Sequence, residues 1–323
     1  MTRGLVIGKF MPVHNGHLAL IDFASGQCDE LIVSMSYGPE DPIDPQTRFG
    51  WLKEILTGST HILPAMIPDD FDDESLALPE RTRIWSQVMK EHFPPIDLIF
   101  SSEQYGDDFA ANLQAKHIAF DPYRKKFPVS ATKIRARPFR YWDQIPPVVQ
   151  PYFVKKICFY GPESTGKTTM AKRMAEICET SYVPESARSI LRSNDFTLSD
   201  IIHIGQTLDN WNELLSTSAN KVLFCDTDFI TTQIYSGWYL NTIPDKLLEW
   251  ERKTNYALYF LMDIDTPWVA DHLRDQPEKR GDMMELFKGA LETRKIPFIL
   301  ISGEYPEREA RVIREVNALI EKY

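Results

Sequence analysis

Apolar positions in this chain fall into two alternating rhythms. Leu5 to Gly8, Glu30 to Ser36 and Asp97 to Phe100 are short runs of strand character, and Leu18 to Phe23 and Arg48 to Leu56 carry helical spacing. The second half repeats the pattern, with strands expected at Ile157 to Tyr160, Tyr182 to Val183, Val222 to Cys225, Leu258 to Met262 and Phe298 to Ile301. After the first of these, Met170, Met174, Ile177 and Cys178 recur at i, i+4, i+7 and i+8, giving a helix one apolar face to lay on a sheet. Strands alternating with helices predict an α/β protein with parallel sheets, because neighbouring parallel strands need a crossover between them. Ile145-Pro146-Pro147 and Pro151 fit neither a helix interior nor a central strand. The boundary is therefore expected near residue 150, giving domains 1–150 and 151–323, the second built on a five-stranded nucleotide-binding sheet.

Composition narrows the class. At 323 residues, 43% hydrophobic and 25% charged, the chain can bury two ordinary cores and is neither disordered nor a disulfide-stapled miniprotein. Lys and Arg number 36 against 46 Asp and Glu, a formal net charge of −10, which argues against a broad basic face for nucleic acid. Any phosphate must be gripped locally. Cys28, Cys158, Cys178 and Cys225 form no CxxC pair, which suits a reducing compartment and argues against zinc. The start, Met1-Thr2-Arg3-Gly4 followed by Leu5 to Ile7, is too short for a signal-peptide core, and no apolar stretch reaches spanning length. A cytoplasmic protein without a membrane partner is expected; self-association is left open.

Gly161-Pro162-Glu163-Ser164-Thr165-Gly166-Lys167-Thr168, followed by Thr169, fits GxxxxGK[ST] after a strand and at the opening of a helix. In that position backbone N–H groups curl around phosphate, Lys167 reaches the β- and γ-phosphates, and the Thr168 hydroxyl takes a Mg²⁺ position. The strand ending at Asp226 supplies a carboxylate for the same metal. Asp228 follows two residues on. Glu185 and Arg188, in Val183-Pro184-Glu185-Ser186-Ala187-Arg188, fall at the carboxyl edge of the sheet, where a small hydroxyl acceptor could lose its proton to Glu185 or Asp228. Arg274, Lys279 and Arg280 suggest a lid that brings cations over the transferring phosphate.

In the first half, Gly8-Lys9-Phe10-Met11-Pro12-Val13-His14-Asn15-Gly16-His17 runs from a strand into a helix, so both imidazoles can face one phosphate. Pro128-Val129-Ser130-Ala131-Thr132-Lys133-Ile134-Arg135 offers a capping hydroxyl at Ser130 or Thr132 and two cations at a second helix start. Two phosphate-directed helix starts in a domain without a P-loop suggest adenylyl transfer from ATP, achieved by positioning and charge neutralisation.

GKFMPVHNGH together with VSATKIR resembles the HxGH and [IV]S[SG]TxxR signatures of the nucleotidyltransferase superfamily. With the P-loop domain behind it, the chain resembles the bacterial bifunctional nicotinamide mononucleotide (NMN) adenylyltransferase/ribosylnicotinamide kinase family. SSEQYG at 101–106, DPYR at 121–124, VPESAR and DTDFITT are similar to that family's patterns. The resemblance implies a Rossmann-like nucleotidyltransferase domain followed by a P-loop kinase domain. It places Gly8, Lys9, Phe10, His14 and His17 at the ATP of the first domain, with His17 at the reacting α-phosphate and Ser130, Thr132 and Arg135 at its β/γ end. It places Trp85, Ser102, Tyr105, Asp121 and Arg124 around NMN, with Trp85 stacked on nicotinamide. In the kinase it implies that Glu185, Arg188 and Asp228 face ribosylnicotinamide and that Gly303 borders the adenine. Ala131 departs from the usual Ser or Gly. Some relatives carry an N-terminal helix-turn-helix, but about four residues precede the first strand here, so DNA binding is not expected. The implied substrates are ATP, ribosylnicotinamide, NMN and NAD, with Mg²⁺ as the ion. Another vitamin nucleoside as substrate, and a nucleotide-sensing regulator with one inactive site, are the alternatives.

Overall fold

The computed structural model describes residues 1–73, 75–269 and 277–323, so Arg274 lies outside the described residues. The chain divides into two compact units, Met1–Gln150 with Tyr323, and Pro151–Lys322. Among the described residues no helix is long and apolar enough to cross a membrane.

The first unit contains β1 (Arg3–Gly8), β2 (Glu30–Tyr37), β3 (Ile62–Pro68), β4 (Leu98–Ser101) and β5 (Lys116–Ala119), all parallel, in the order β3-β2-β1-β4-β5. This is the doubly wound arrangement, in which the chain leaves central β1 toward β2 and later returns on its other side with β4. The reversal opens a crevice at the carboxyl ends of β1 and β4. Leu5, Ile32, Ile67, Ile99 and Phe109 pack the core beneath it. Neither edge strand is evident from hydrophobic pattern. β3 contains Pro64 and ends on Pro68, which an edge position tolerates, and β5 is four residues long with no buried position.

The second unit contains β6 (Lys155–Tyr160), β7 (Tyr182–Val183), β8 (Val222–Asp226), β9 (Tyr256–Met262) and β10 (Ile299–Ile301), again parallel, ordered β10-β9-β6-β8-β7. All five strands expected from the sequence are present. One face of the sheet packs Val183, Leu208, Leu223 and Phe229; the other packs Cys158, Tyr160, Leu261 and Phe287. With both faces covered, only the loops at the strands' carboxyl ends are free to carry chemistry.

Candidate active sites

The first cleft opens at the end of β1. It encloses about 850 Å³, and its lining includes Gly8, Lys9, His14, His17, Ser102 and Arg124. Asn15–Ser25 forms the helix that the imidazoles introduce. The rings stack with centroids 3.7 Å apart, and Phe10, buried beneath them, meets His17 edge-on at 4.9 Å. The His14 backbone N–H donates to His17 Nδ1 at 3.3 Å, so a neutral His17 carries its proton on Nε2. Among the described residues, His14 Nδ1 is buried without a partner. Burial drives His14 down to about 4, aided by the Arg124 charge, and burial followed by the charges of His14 and Arg124 drives His17 well below its ordinary value. Two uncharged imidazoles thus await a group that both accepts hydrogen bonds and carries negative charge, the description of a phosphate.

Around this pair the residues divide by task. Ser130 caps the Ala131–Ala136 helix, accepting from the Lys133 N–H at 3.3 Å, while Arg135 donates to the Met11 carbonyl and, at 3.4 Å, to Thr132. Arg135 thereby ties this helix to the loop before His14. Asp121 accepts from the Lys125, Lys126 and Phe127 amides at 2.8, 2.9 and 3.1 Å, so its carboxylate closes a turn. Arg124 donates to Glu103 at 2.5 Å and to the Val129 carbonyl at 2.9 Å.

The nicotinamide set expected from the sequence spreads over two adjoining clefts. Trp85 lines a second cleft of about 690 Å³ with Ser34, Asp69, Asp72, Arg81 and Tyr105, whereas Ser102, Asp121 and Arg124 line the imidazole cleft. The two clefts share Ile7, Gly8, Lys9 and Tyr105, so they adjoin along the end of β1. Trp85 is half-buried and held edge-on to Tyr105 at 5.4 Å, and its Nε1–H donates to Asp72 at 3.0 Å. Arg81 grips the same carboxylate at 2.8 and 2.7 Å and lies 5.2 Å from the indole centre.

In the second unit the phosphate loop joins β6 to the Lys167–Ile177 helix. Gly161 has φ +134°, and a Cβ there would lie 2.9 Å from the Met262 carbonyl oxygen, so the loop can leave β6 at this angle only through glycine. Gly166 turns through φ +86° into the helix. Lys167 donates to the Pro162 carbonyl at 2.7 Å, and the buried Thr165 hydroxyl donates to the same oxygen at 2.9 Å, folding the loop on itself; Thr169 is exposed on the first helical turn. The Thr168 hydroxyl donates to Asp226 Oδ2 at 2.5 Å, while Asp226 Oδ1 is buried without a partner among the described residues. Burial, then the nearby charge of Glu185, pushes Asp226 up to about 6. A buried orphan carboxylate oxygen beside a hydroxyl fits Mg²⁺. That ion keeps waters and substrate phosphates in its shell, so it needs no all-protein cage, and among the described residues no such cage of three acids, histidines or cysteines exists.

A cleft of about 560 Å³ adjoins the loop, lined by Glu163, Glu185, Thr227, Thr231, Thr232 and Tyr235 among others. Glu185 accepts from Arg188 Nε at 2.7 Å at its mouth. Asp228, also expected to face the acceptor, is absent from this lining. Its Oδ1 accepts the Thr231 N–H and hydroxyl at 2.8 Å each, capping the Phe229–Leu240 helix, and its Oδ2 accepts from Tyr259 at 3.0 Å. Both oxygens of this fully buried carboxylate are thus engaged within the protein. Arg280 is likewise a brace. It donates to the Ser164 carbonyl at 2.8 Å and the Thr266 carbonyl at 2.6 Å, while the Ser164 hydroxyl donates to the Val269 carbonyl at 3.0 Å.

Two buried arginines in supporting roles escape sequence reasoning. Arg48, fully buried, donates to the carbonyls of Ile43 and Lys9 at 3.0 and 2.5 Å and pairs with Asp41 at 2.6 Å, fixing the strand end that carries the imidazole loop. Arg308, 2% exposed, donates to the carbonyls of Gly303, Thr165 and Asp263 at 2.8, 3.1 and 3.3 Å and pairs with Asp265, which in turn accepts the Gly303 N–H at 2.6 Å. One side chain thus ties the phosphate loop to the carboxyl ends of β9 and β10. No motif announces either arginine; an arginine amid apolar helical positions is the signal available.

Comparison with known proteins places the chain. A family model described as an AAA domain matches residues 156–308. The trifunctional NAD biosynthesis/regulator protein NadR of Escherichia coli (strain K12) is 30% identical over 347 residues, covering 99% of this chain and 83% of that protein. Nicotinamide-nucleotide adenylyltransferase of Thermococcus onnurineus is 28% identical over 171 residues, 48% of this chain and 83% of that protein. A crystal structure of NadR protein in complex with NR superposes with a TM-score of 0.81 over 98% of this chain and 95% of that one, at 20% identity. Identity at the first of these levels along nearly the whole length makes the relationship one of descent: the chain belongs to the NadR family.

Proposed function

We propose that this chain makes NAD from ribosylnicotinamide in two ATP-dependent steps, the second unit phosphorylating the nucleoside and the first unit adenylylating the resulting NMN. The observation that carries the reading is the presence of two differently built phosphate cradles in one chain, the imidazole pair at the end of β1 and the P-loop at the end of β6.

In the kinase step the 5′-hydroxyl oxygen of ribosylnicotinamide forms a bond to the γ-phosphorus of ATP, the bond to the β-phosphate oxygen breaks, and ADP leaves. Glu185 lines the acceptor cleft and is the carboxylate assigned to take the hydroxyl proton, since Asp228 is engaged with Thr231 and Tyr259. Lys167, released from the Pro162 carbonyl, neutralises charge on the transferring group. Thr168 and Asp226 would hold Mg²⁺, which supplies further neutralisation across the phosphates when bound. In the adenylyl step an NMN phosphate oxygen bonds to the α-phosphorus of ATP and pyrophosphate departs. This nucleophile needs no base, so the protein's work is orientation and charge stabilisation. His17 Nε2–H donates where charge builds, and Trp85 stacks the pyridine ring in the neighbouring subsite. The substrates are small molecules, and a cytoplasmic setting fits the four free cysteines.

Supplying ribosylnicotinamide with Mg-ATP and following products over time tests this. NMN should rise first and NAD afterwards, with ADP and pyrophosphate released in turn; NMN accumulation without NAD, or no consumption of ribosylnicotinamide, contradicts it.

A further inference from the structure

A three-residue hydrogen-bond chain at the end of β4 has no part in the account above. Ser101 Oγ lies 3.0 Å from His117 Nε2, and His117 Nδ1 lies 2.7 Å from Asp107 Oδ1. Ser101 closes β4, His117 stands on β5, and Asp107 opens the Gly106–Leu113 helix, so three elements converge on one imidazole. An ionised carboxylate can only accept, so a neutral His117 carries its proton on Nδ1 and turns the Nε2 lone pair toward Ser101. The Ser101 hydroxyl then donates to His117, and its oxygen lone pairs remain for the cleft, which Ser101 lines beside His14, His17 and Ser102. The carbonyl of Glu103, at 3.4 Å, is the weaker competitor for that proton. Gly106 is required for this arrangement. A Cβ there would lie 2.2 Å from His117 Nε2 and 2.6 Å from Ser101 Oγ, so any side chain would force the three apart.

We propose that Asp107 and His117 are positioning residues that fix Ser101 as a hydrogen-bond acceptor for a ribose hydroxyl of the adenylyl donor. The inference rests on the adenylyl-transfer reading of this cleft. With the α-phosphate at the His pair on the β1 side, the next group along the nucleotide is its sugar, which meets the neighbouring β4 end. Ribose hydroxyls need an acceptor. An oxygen whose proton is already committed provides one, and offers nothing to attract a misplaced phosphate. Discrimination between ribose and deoxyribose follows from the pinned hydroxyl, because a sugar lacking the donor leaves the lone pairs of the buried Ser101 oxygen unmet while its proton stays on His117.

The test uses the full chain and measures NAD formation from NMN with ATP, 2′-deoxy-ATP and 3′-deoxy-ATP. Phosphorylation of ribosylnicotinamide by the second unit serves as an internal control for folding. The wild type should show a KM about 5- to 10-fold higher for one of the two deoxy-nucleotides. Ser101→Ala should raise the KM for ATP by a similar factor, leave kcat nearly intact and abolish the discrimination. His117→Leu should lower the discrimination in the same direction, and His117→Gln, whose amide oxygen can accept from Ser101, should restore it. Equal use of all three nucleotides by the wild type, or discrimination that survives Ser101→Ala, overturns the proposal. Failure of the wild type to make NAD from ATP overturns the adenylyl-transfer reading instead.

Discussion

The two cradles reach the same end from opposite electrostatic starting points. In the first unit burial strips the charge from His14 and His17, so the two imidazoles would meet a polyphosphate as neutral donors beside the Lys9 and Arg124 cations of the same cleft. In the second, a fixed cation on Lys167 and the amides of a glycine-shaped loop stand opposite a carboxylate, Asp226, whose own ionisation burial opposes. The first is suited to a triphosphate that must be gripped near its α-phosphorus, where donors close to the reacting centre matter most. The second is suited to transfer of the terminal phosphate, where the tail itself is the cargo and must be surrounded.

If the cradles are independent, breaking one spares the other. His17→Ala should lower kcat for NAD formation by about 10²- to 10³-fold, the cost of losing one donor to a charged transition state, and leave ribosylnicotinamide phosphorylation unchanged. Lys167→Ala should do the reverse by a similar factor, and coupled NADH and ADP assays on the same preparations read both.

The supports should be as separate as the cradles. Arg308→Met leaves three carbonyls and Asp265 without their donor, and should cost the second unit about 3 kcal/mol, seen as faster amide hydrogen exchange in β6 with β1 unaffected.

Opposite burial of charge gives opposite pH responses. His14 falls from 6.5 to about 4 on folding, so between those values the native first unit holds fewer protons than the unfolded chain, and its stability drops as pH is lowered through that window. Asp226 and Asp228 rise from 3.8 to about 6, so there the native second unit holds more protons and gains stability as pH is lowered from 6 toward 4. Each group contributes on the order of 3 kcal/mol, and unit-resolved hydrogen exchange in metal-free buffer should show the two moving apart. The smallest change sharpens the division within the first unit. Trp85→Leu should raise KM for NMN about five-fold while KM for ATP stays fixed, because the indole belongs to the other subsite.

Much of this was legible in the chain itself. The P-loop and the imidazole loop each follow a strand and enter a helix, and those short-range constraints are written in Gly161, Gly166, His14 and His17. What remained hidden is tertiary. Edge strands β3 and β5 lack a buried face or tolerate proline, so periodicity passes over them. Asp228 stands beside Glu185 as a candidate base in the sequence because a carboxylate two residues beyond a strand end can cap or catalyse alike, and its bonds to Thr231 and Tyr259 appear only in the fold. Ser102 and Trp85 are placed together by the family resemblance, while the fold sets them in adjoining clefts. Arg48 and Arg308 serve backbone carbonyls, partners that carry no sequence signature at all.

The most direct measurement is the stoichiometry with which a non-hydrolysable ATP analogue binds the intact chain in the presence of Mg²⁺, followed by calorimetry. Two molecules per chain are expected, with binding weakened only at the first unit in His17→Ala and only at the second unit in Lys167→Ala. A single molecule on the unaltered protein, or loss of both from either substitution, contradicts the existence of two separate cradles.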